Sequence, residues 1–306
     1  MTDPVIQTQG LTRYFGGKCA LDSLTLSVPR GCVFAFVGRN GSGKSTTIRM
    51  LMGLLQATRG GARVLGYDCA ILAPEARGRI GYLAEGHDLY NWMTVAQLEA
   101  FQAPFFPHWN KALFDAVIEH FGLSRSAKAR HLSRGERAGL ALALTLAPDP
   151  ELLILDDPAL GLDPLARRAL LEAMVYVTRR DDRTIFFSSH LLADVERVAD
   201  HIAILDQSVL RAACSVETFR RCVRQFVLQF PGRPPTLPEM PEILESFSAE
   251  REVRVTLANA TQQTLSRLAE LSAAPLREVP LSLEDAVISL LSRRKQRGFF
   301  LQEVAS

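Results

Sequence analysis

The segment Gly38-Arg-Asn-Gly-Ser-Gly-Lys-Ser-Thr46 fits the spacing G-x-x-x-x-G-K-[ST], and its chemistry is that of a cradle for a triphosphate. Small residues at Gly38, Gly41 and Gly43, with Asn40 among them, let consecutive backbone N–H groups curve around phosphate oxygens. Lys44 then reaches the β- and γ-phosphates, Ser45 offers its hydroxyl to Mg2+, and the amides from Gly41 to Thr46 supply the remaining donors. At average residue frequencies a chance match in a chain this long has a probability of about 1%, so an accidental glycine-rich turn is set aside.

A second segment, Leu152-Leu-Ile-Leu-Asp-Asp157, has the form of an apolar strand that delivers two carboxylates to the place where a metal and an attacking water would lie. Asp156 is the candidate for holding Mg2+, through water. An apolar run ending in Asp-Asp is by itself an ordinary strand end. Its pairing with the phosphate loop makes it a candidate site.

Both segments need strands to present them. Residues 33–37 form a short apolar run ending at Gly38, and residues 152–155 and 184–188 repeat that character, each followed by polar residues. Strand-like and helix-like segments alternate through most of the chain, which predicts an α/β domain with a largely parallel sheet and its ligand at the carboxyl ends of the strands. Between 90 and 147 the pattern turns helical, with Val95, Leu98 and Phe101, and then Leu113, Val117 and Phe121, at three-to-four spacing. A helical insert of about 87–147 within the α/β core follows. The run Pro-Gly-Arg-Pro-Pro-Thr-Leu-Pro-Glu-Met-Pro at 231–241 cannot continue a helix or a central strand. Beyond it, 252–257 alternates like a strand, 264–271 reads as a helix, and Ser282 with Asp285 starts another. The expected organisation is a cassette over 1–219 and a small α+β appendage over 220–306.

Composition narrows the function classes. The chain has 306 residues, 47% of them hydrophobic, and a net charge of +2, with basic residues scattered and not striped, so nucleic acid is not an expected partner. The five cysteines are odd in number, far apart and without a C-x-x-C pair, which argues against a disulfide framework or a zinc site. The start MTDPVIQTQG lacks the form of a signal peptide, and the most apolar stretch, 139–147, is too short to span a bilayer. The chain is expected in the cytoplasm, reaching a membrane only through a partner. Arg293, Arg294, Lys295 and Arg297 before Phe299 and Phe300 read as a solvated helix end or as a patch for a lipid surface.

Over roughly 6–219 the chain resembles the ATP-binding cassette (ABC) ATPase family, with one cassette and a P-loop NTPase core. Leu132-Ser-Arg-Gly-Glu136 resembles the family signature, usually LSGGQ. The resemblance implies that Ser133, the Gly135 amide and the helix start close over the γ-phosphate of an ATP held by a second cassette. Ala159-Leu-Gly-Leu-Asp163 resembles the loop that runs along the interface of the two cassettes, and His190 resembles the switch histidine that bonds the γ-phosphate. Phe15 resembles the aromatic residue that stacks on adenine; Tyr14 is the alternative, and an ordinary core aromatic the plain one. The cofactors implied are ATP and Mg2+. The partners implied are transmembrane permease subunits, docked near 86–92, and a second cassette, a homodimer being favoured because every motif for a symmetric pair is present in some form.

Departures from the family pattern fall at the chemistry. Asp157 stands where glutamate, the general base, is usual; Glu85, in Ile-Gly-Tyr-Leu-Ala-Glu85, stands where a glutamine links Mg2+ and water to the transmembrane partner; Arg134 and Glu136 replace glycine and glutamine. Glu85 either shares in metal and water positioning or is a solvated loop carboxylate. The leading expectation is the ATP-hydrolysing motor subunit of a membrane transporter, with slow turnover and, by resemblance to single-cassette chains with a C-terminal extension, efflux. The competing readings are an ABC protein acting on ribosomes or DNA, and a weakly hydrolysing ATP-dependent clamp or regulator.

Overall fold

The strand β3 (Val33–Gly38) is buried along nearly its whole length, as a strand must be when both faces of its sheet are covered. In the computed structural model, which describes residues 3–181, 183–292 and 301–302, β3 lies at the centre of a seven-stranded sheet of order β15-β10-β9-β3-β8-β7-β6. Its neighbours are β8 (Thr184–Ser189) and β9 (His201–Asp206), both parallel to it. Outward from β8 lie β7 (Leu152–Leu155) and β6 (Ile80–Leu83), again parallel. β10 (Val209–Ser215) and β15 (Leu301–Gln302) close the other edge.

A second sheet, antiparallel and of order β2-β1-β4-β5, is formed by β1 (Ile6–Phe15), β2 (Lys18–Val28), β4 (Arg59–Val64) and β5 (Tyr67–Asp68). Apolar side chains of the two sheets and of α1 (Lys44–Leu51), among them Leu24, Phe34, Phe36, Ile48, Val64 and Phe186, make one core. The short helix α2 (Pro74–Arg77) precedes β6, and the helices α3 (Val95–Gln102), α4 (Lys111–His120) and α5 (Arg134–Leu146) follow it. α5 is buried without a break from Ala138 to Leu146, so it is the inner helix of this group. α6 (Pro164–Asp181) and α7 (Leu192–Val198) flank β8. Among the described residues no helix is long and apolar enough to cross a membrane.

Contacts divide the chain into two units, the first running to Ala213 and taking in β15, the second starting at Cys214. The second unit, after α8 (Val216–Cys222), is a four-stranded sheet of order β12-β13-β11-β14, made of β11 (Val223–Gln229), β12 (Ile243–Ala249), β13 (Glu252–Ala258) and β14 (Arg277–Val279). Phe226, Leu228, Val253, Val255 and Leu257 give it its own core, with Leu268 of α9 (Gln262–Leu271). The proline-rich run at 231–241 forms no regular element, and α10 (Leu283–Ser292) follows Ser282, whose hydroxyl accepts from Asp285 N at 3.0 Å. The basic stretch at 293–297 lies outside the described residues.

Candidate nucleotide site

β3 carries the chain to Gly38, and the turn into α1 passes through positions closed to larger residues. Gly43 has φ 110°, and a Cβ there would stand 2.4 Å from the Ala20 carbonyl; at Gly38 it would stand 2.3 Å from that of Leu205. α1 begins at Lys44 with Gly43 before it and no side-chain cap, which leaves the first-turn N–H groups open to an anion. The last residues of the phosphate loop, Lys44 to Thr46, thus already have helical backbone.

Lys44 is buried, and its Nζ donates to Gly38 O at 2.7 Å and Arg39 O at 3.3 Å. Loss of water around the ammonium lowers its pKa, and the nearby charges of Asp157, Asp156 and Glu85 oppose that shift. Ser45 Oγ donates to Asp156 Oδ1 at 3.0 Å, and Ser188 Oγ donates to the same oxygen at 2.8 Å. Ser188 also accepts from Asp157 N at 2.8 Å. The strand ends of β7 and β8 are thus stitched together beside the phosphate loop. Ser188 was not among the candidates read from the sequence; its signal was its place as the last residue of the apolar run at 184–188.

Asp157 sits at φ 46°, in the left-handed region, with Oδ2 2.7 Å from His190 Nδ1. Its Oδ1 is buried without a hydrogen-bond partner, as is Ser42 Oγ in the phosphate loop. Buried oxygens left without partners are costly, and these two fit a site whose remaining partners are phosphate, water and Mg2+. The donor set fits that ion as well. A hydroxyl at Ser45 and a carboxylate at Asp156 are hard oxygen ligands, and Mg2+ usually takes one or two such groups with waters and substrate phosphates. Among the described residues there is no cluster of three or more His, Cys, Asp and Glu of the kind a protein-caged metal requires.

Glu85, just beyond β6, is exposed, and its charge reaches both Lys44 and Tyr82. Phe15, at the end of β1, is 48% exposed with the Arg13 guanidinium 4.6 Å from its ring centre, and Tyr14 is 38% exposed. Neither is a core aromatic. Asn40 and Gly41 lie exposed on the loop.

Ser133 and Gly135 open α5. The Ser133 hydroxyl accepts from Glu136 N at 3.2 Å, while the Glu136 carboxylate accepts from Ser133 N at 2.8 Å, a reciprocal cap. Gly135 is buried, and a Cβ there would stand 2.6 Å from that of Ala166, so α5 and α6 meet at this point. Arg134 is exposed next to Gly161. The structure therefore joins Ser45, Asp156, Asp157, Ser188 and His190 by direct bonds, whereas Ser133 bonds Glu136 within its own helix start.

Comparison with known proteins identifies the family. The family model described as ABC transporter matches residues 21–160. The bacitracin transport ATP-binding protein BcrA of Bacillus licheniformis is 32% identical over 225 residues, which cover 73% of this chain and 74% of that one. The uncharacterized ABC transporter ATP-binding protein YcbN of Bacillus subtilis is 28% identical over 298 residues, 94% of this chain and 97% of its own. A solved structure of the ATP-binding subunit of an ABC transporter superposes with a TM-score of 0.65 at 30% identity, over 71% of this chain and 92% of that chain. The chain belongs to the ABC transporter ATP-binding subunits, a family of ATPases with an α/β P-loop core.

Proposed function

We propose that two copies of this chain close over two Mg-ATP molecules and drive separate transmembrane subunits from the inner face of the cell membrane. The observation that carries the reading is the bonded set Ser45, Asp156, Ser188, Asp157 and His190 gathered beside Lys44 and the open start of α1. Lys44 and the loop amides from Gly41 to Thr46 hold the triphosphate, and Phe15 stacks on the base. Ser45 and Asp156, with Glu85 nearby, would hold Mg2+, which supplies charge neutralisation on the phosphates. Asp157 is the general base: His190 holds its Oδ2, and Oδ1 is left to take the proton of an attacking water. Its arm is one methylene shorter than glutamate, so turnover is modest while binding is intact.

Ser133 and Gly135 of one copy face the γ-phosphate held by the other. The loop at 86–92 docks the transmembrane partner. Support for that surface comes from Tyr90 and Trp92, 53% and 64% exposed, which with Phe101 form a chain of aromatic rings 6.2 Å and 5.4 Å apart. Exposed aromatic groups of this size mark interaction sites. Replacing Tyr90 and Trp92 with alanine should leave Mg-ATP binding unchanged and abolish recovery of the chain with membranes that carry its partner. Membrane recovery equal to that of the unaltered chain would count against this surface.

A further inference from the structure

The loop between β6 and α3 enters the protein interior at one polar side chain. Glu85, Gly86, Asp88, Tyr90 and Trp92 are exposed, whereas His87 is 5% exposed. Its Nε2 lies 2.9 Å from the carbonyl oxygen of Pro158. A carbonyl can only accept, so the neutral ring carries its proton on Nε2 and donates it there.

Two features set this contact apart from an ordinary buried histidine. His87 has φ 53° and Asp157 has φ 46°, so both ends of the tie rest on non-glycine residues in the left-handed region, where such conformations persist only if the surroundings fix them. The peptide between Asp157 and Pro158 has no N–H, so the turn has one fewer donor with which to hold itself. The bond that the Pro158 carbonyl accepts from His87 replaces part of that hold. Farther along the loop, Asn91 is anchored as well, its Oδ1 accepting from Arg137 Nη2 at 2.8 Å and its carbonyl from Arg130 N at 3.1 Å. Tyr90 and Trp92 therefore flank Asn91 in a loop pinned at two points, one of them a single residue from Asp157.

We infer that His87 is a positioning residue that ties the docking loop to the Asp157–Pro158 turn and so sets the placement of the Asp157 carboxylate. This rests on the reading of Asp157 as the base and of 86–92 as the docking loop. A displacement of either element is carried to the other through this one hydrogen bond between two turns that each hold a residue in the left-handed region.

The test uses the full chain and the substitutions His87→Ala and His87→Gln, since a glutamine amide N–H reaches the same carbonyl. Measured on protein shown by melting to be folded, His87→Ala should lower kcat by roughly 10- to 100-fold, the cost of a slightly misplaced catalytic group, with KM for ATP nearly unchanged. His87→Gln should recover most of the loss. Amide hydrogen exchange in the nucleotide-free chain should speed up about 10-fold at Asp157 and Leu160 in His87→Ala, with α5 unchanged, because a local opening exposes only the local amides. Unaltered kcat in His87→Ala, or no recovery in His87→Gln, overturns the inference. Should the unaltered chain bind Mg-ATP without turning it over, the reading of the site as hydrolytic fails, and the exchange comparison alone then upholds or overturns the tie.

Discussion

The two units of this chain bury different kinds of side chain. In the first, Lys44, His87, Asp156, Asp157, Arg183 and Asp194 are all buried; in the second, the buried polar residues among those described are Thr256, Thr264 and Ser289. Taking a charge out of water costs far more than burying a hydroxyl, and it persists only where partners or ligands compensate. The hydroxyls of the second unit are simply satisfied: Thr264 donates to Glu242 at 3.1 Å and Ser289 to Glu245 at 3.0 Å. Backbone strain divides the same way. Among the described residues, seven of the eight non-glycine residues with positive φ lie before Cys214, His87 and Asp157 among them, and the eighth is Asn259, a type that tolerates the conformation. The first unit holds charged groups and strained backbone where folding alone disfavours them, Lys44, Asp156 and Asp157 beside the phosphate loop among them; the second is organised by packing.

The sharpest way to break this contrast is Asp157→Asn, for which we expect kcat to fall by about 10²- to 10⁴-fold with Mg-ATP affinity retained; unaltered turnover would remove Asp157 from the chemistry. Lys44→Ala should lower turnover by roughly 10²- to 10³-fold, as expected for a lost phosphate contact, without lowering the melting temperature, since a desolvated ammonium is removed. A marked loss of stability with turnover intact would make Lys44 a structural residue. In the second unit the balance reverses. Leu257 is fully buried, and Leu257→Ala should cost about 2–5 kcal/mol of stability while kcat per folded molecule stays at the level of the unaltered chain.

The smallest effect belongs to the surface pair Arg224 and Glu278, whose side chains are 36% and 49% exposed and for which about 0–1 kcal/mol is expected. The hydrogen bond from Arg224 holds the Glu278 carboxyl below its usual pKa, so its contribution is present at neutral pH and is lost as pH falls through that lowered value. Melting curves of Arg224→Ala and the unaltered chain should therefore converge in acid.

Legibility in the sequence followed the same division. His190 is marked only by the family resemblance, whereas the phosphate loop and the Asp156–Asp157 pair could be read because each stands at the end of a buried strand, and a run such as Val33 to Val37 announces itself. The antiparallel sheet could not: in β1 the alternation of buried and exposed residues breaks near Gly10, where the pairing with β2 and β4 shifts register. The long helix α6 does leave a signal in Asp163-Pro164, for Asp163 Oδ1 accepts from Leu165 N at 2.9 Å and Ala166 N at 3.0 Å, but the family resemblance marks residues 159–163 only as an interface loop. His87 was legible in no local pattern, since its partner lies 71 residues away and nothing in the intervening chain encodes the contact.

Whether a second copy seals the nucleotide is tested most directly by sedimentation of the Asp157→Asn chain, in which bound ATP should outlast the measurement. A dimer is expected only when Mg2+ and ATP are both present, and a monomer with either omitted or with Lys44→Ala added. A chain that takes up Mg-ATP and stays monomeric at every protein concentration, or that shows no magnesium-dependent uptake, contradicts it.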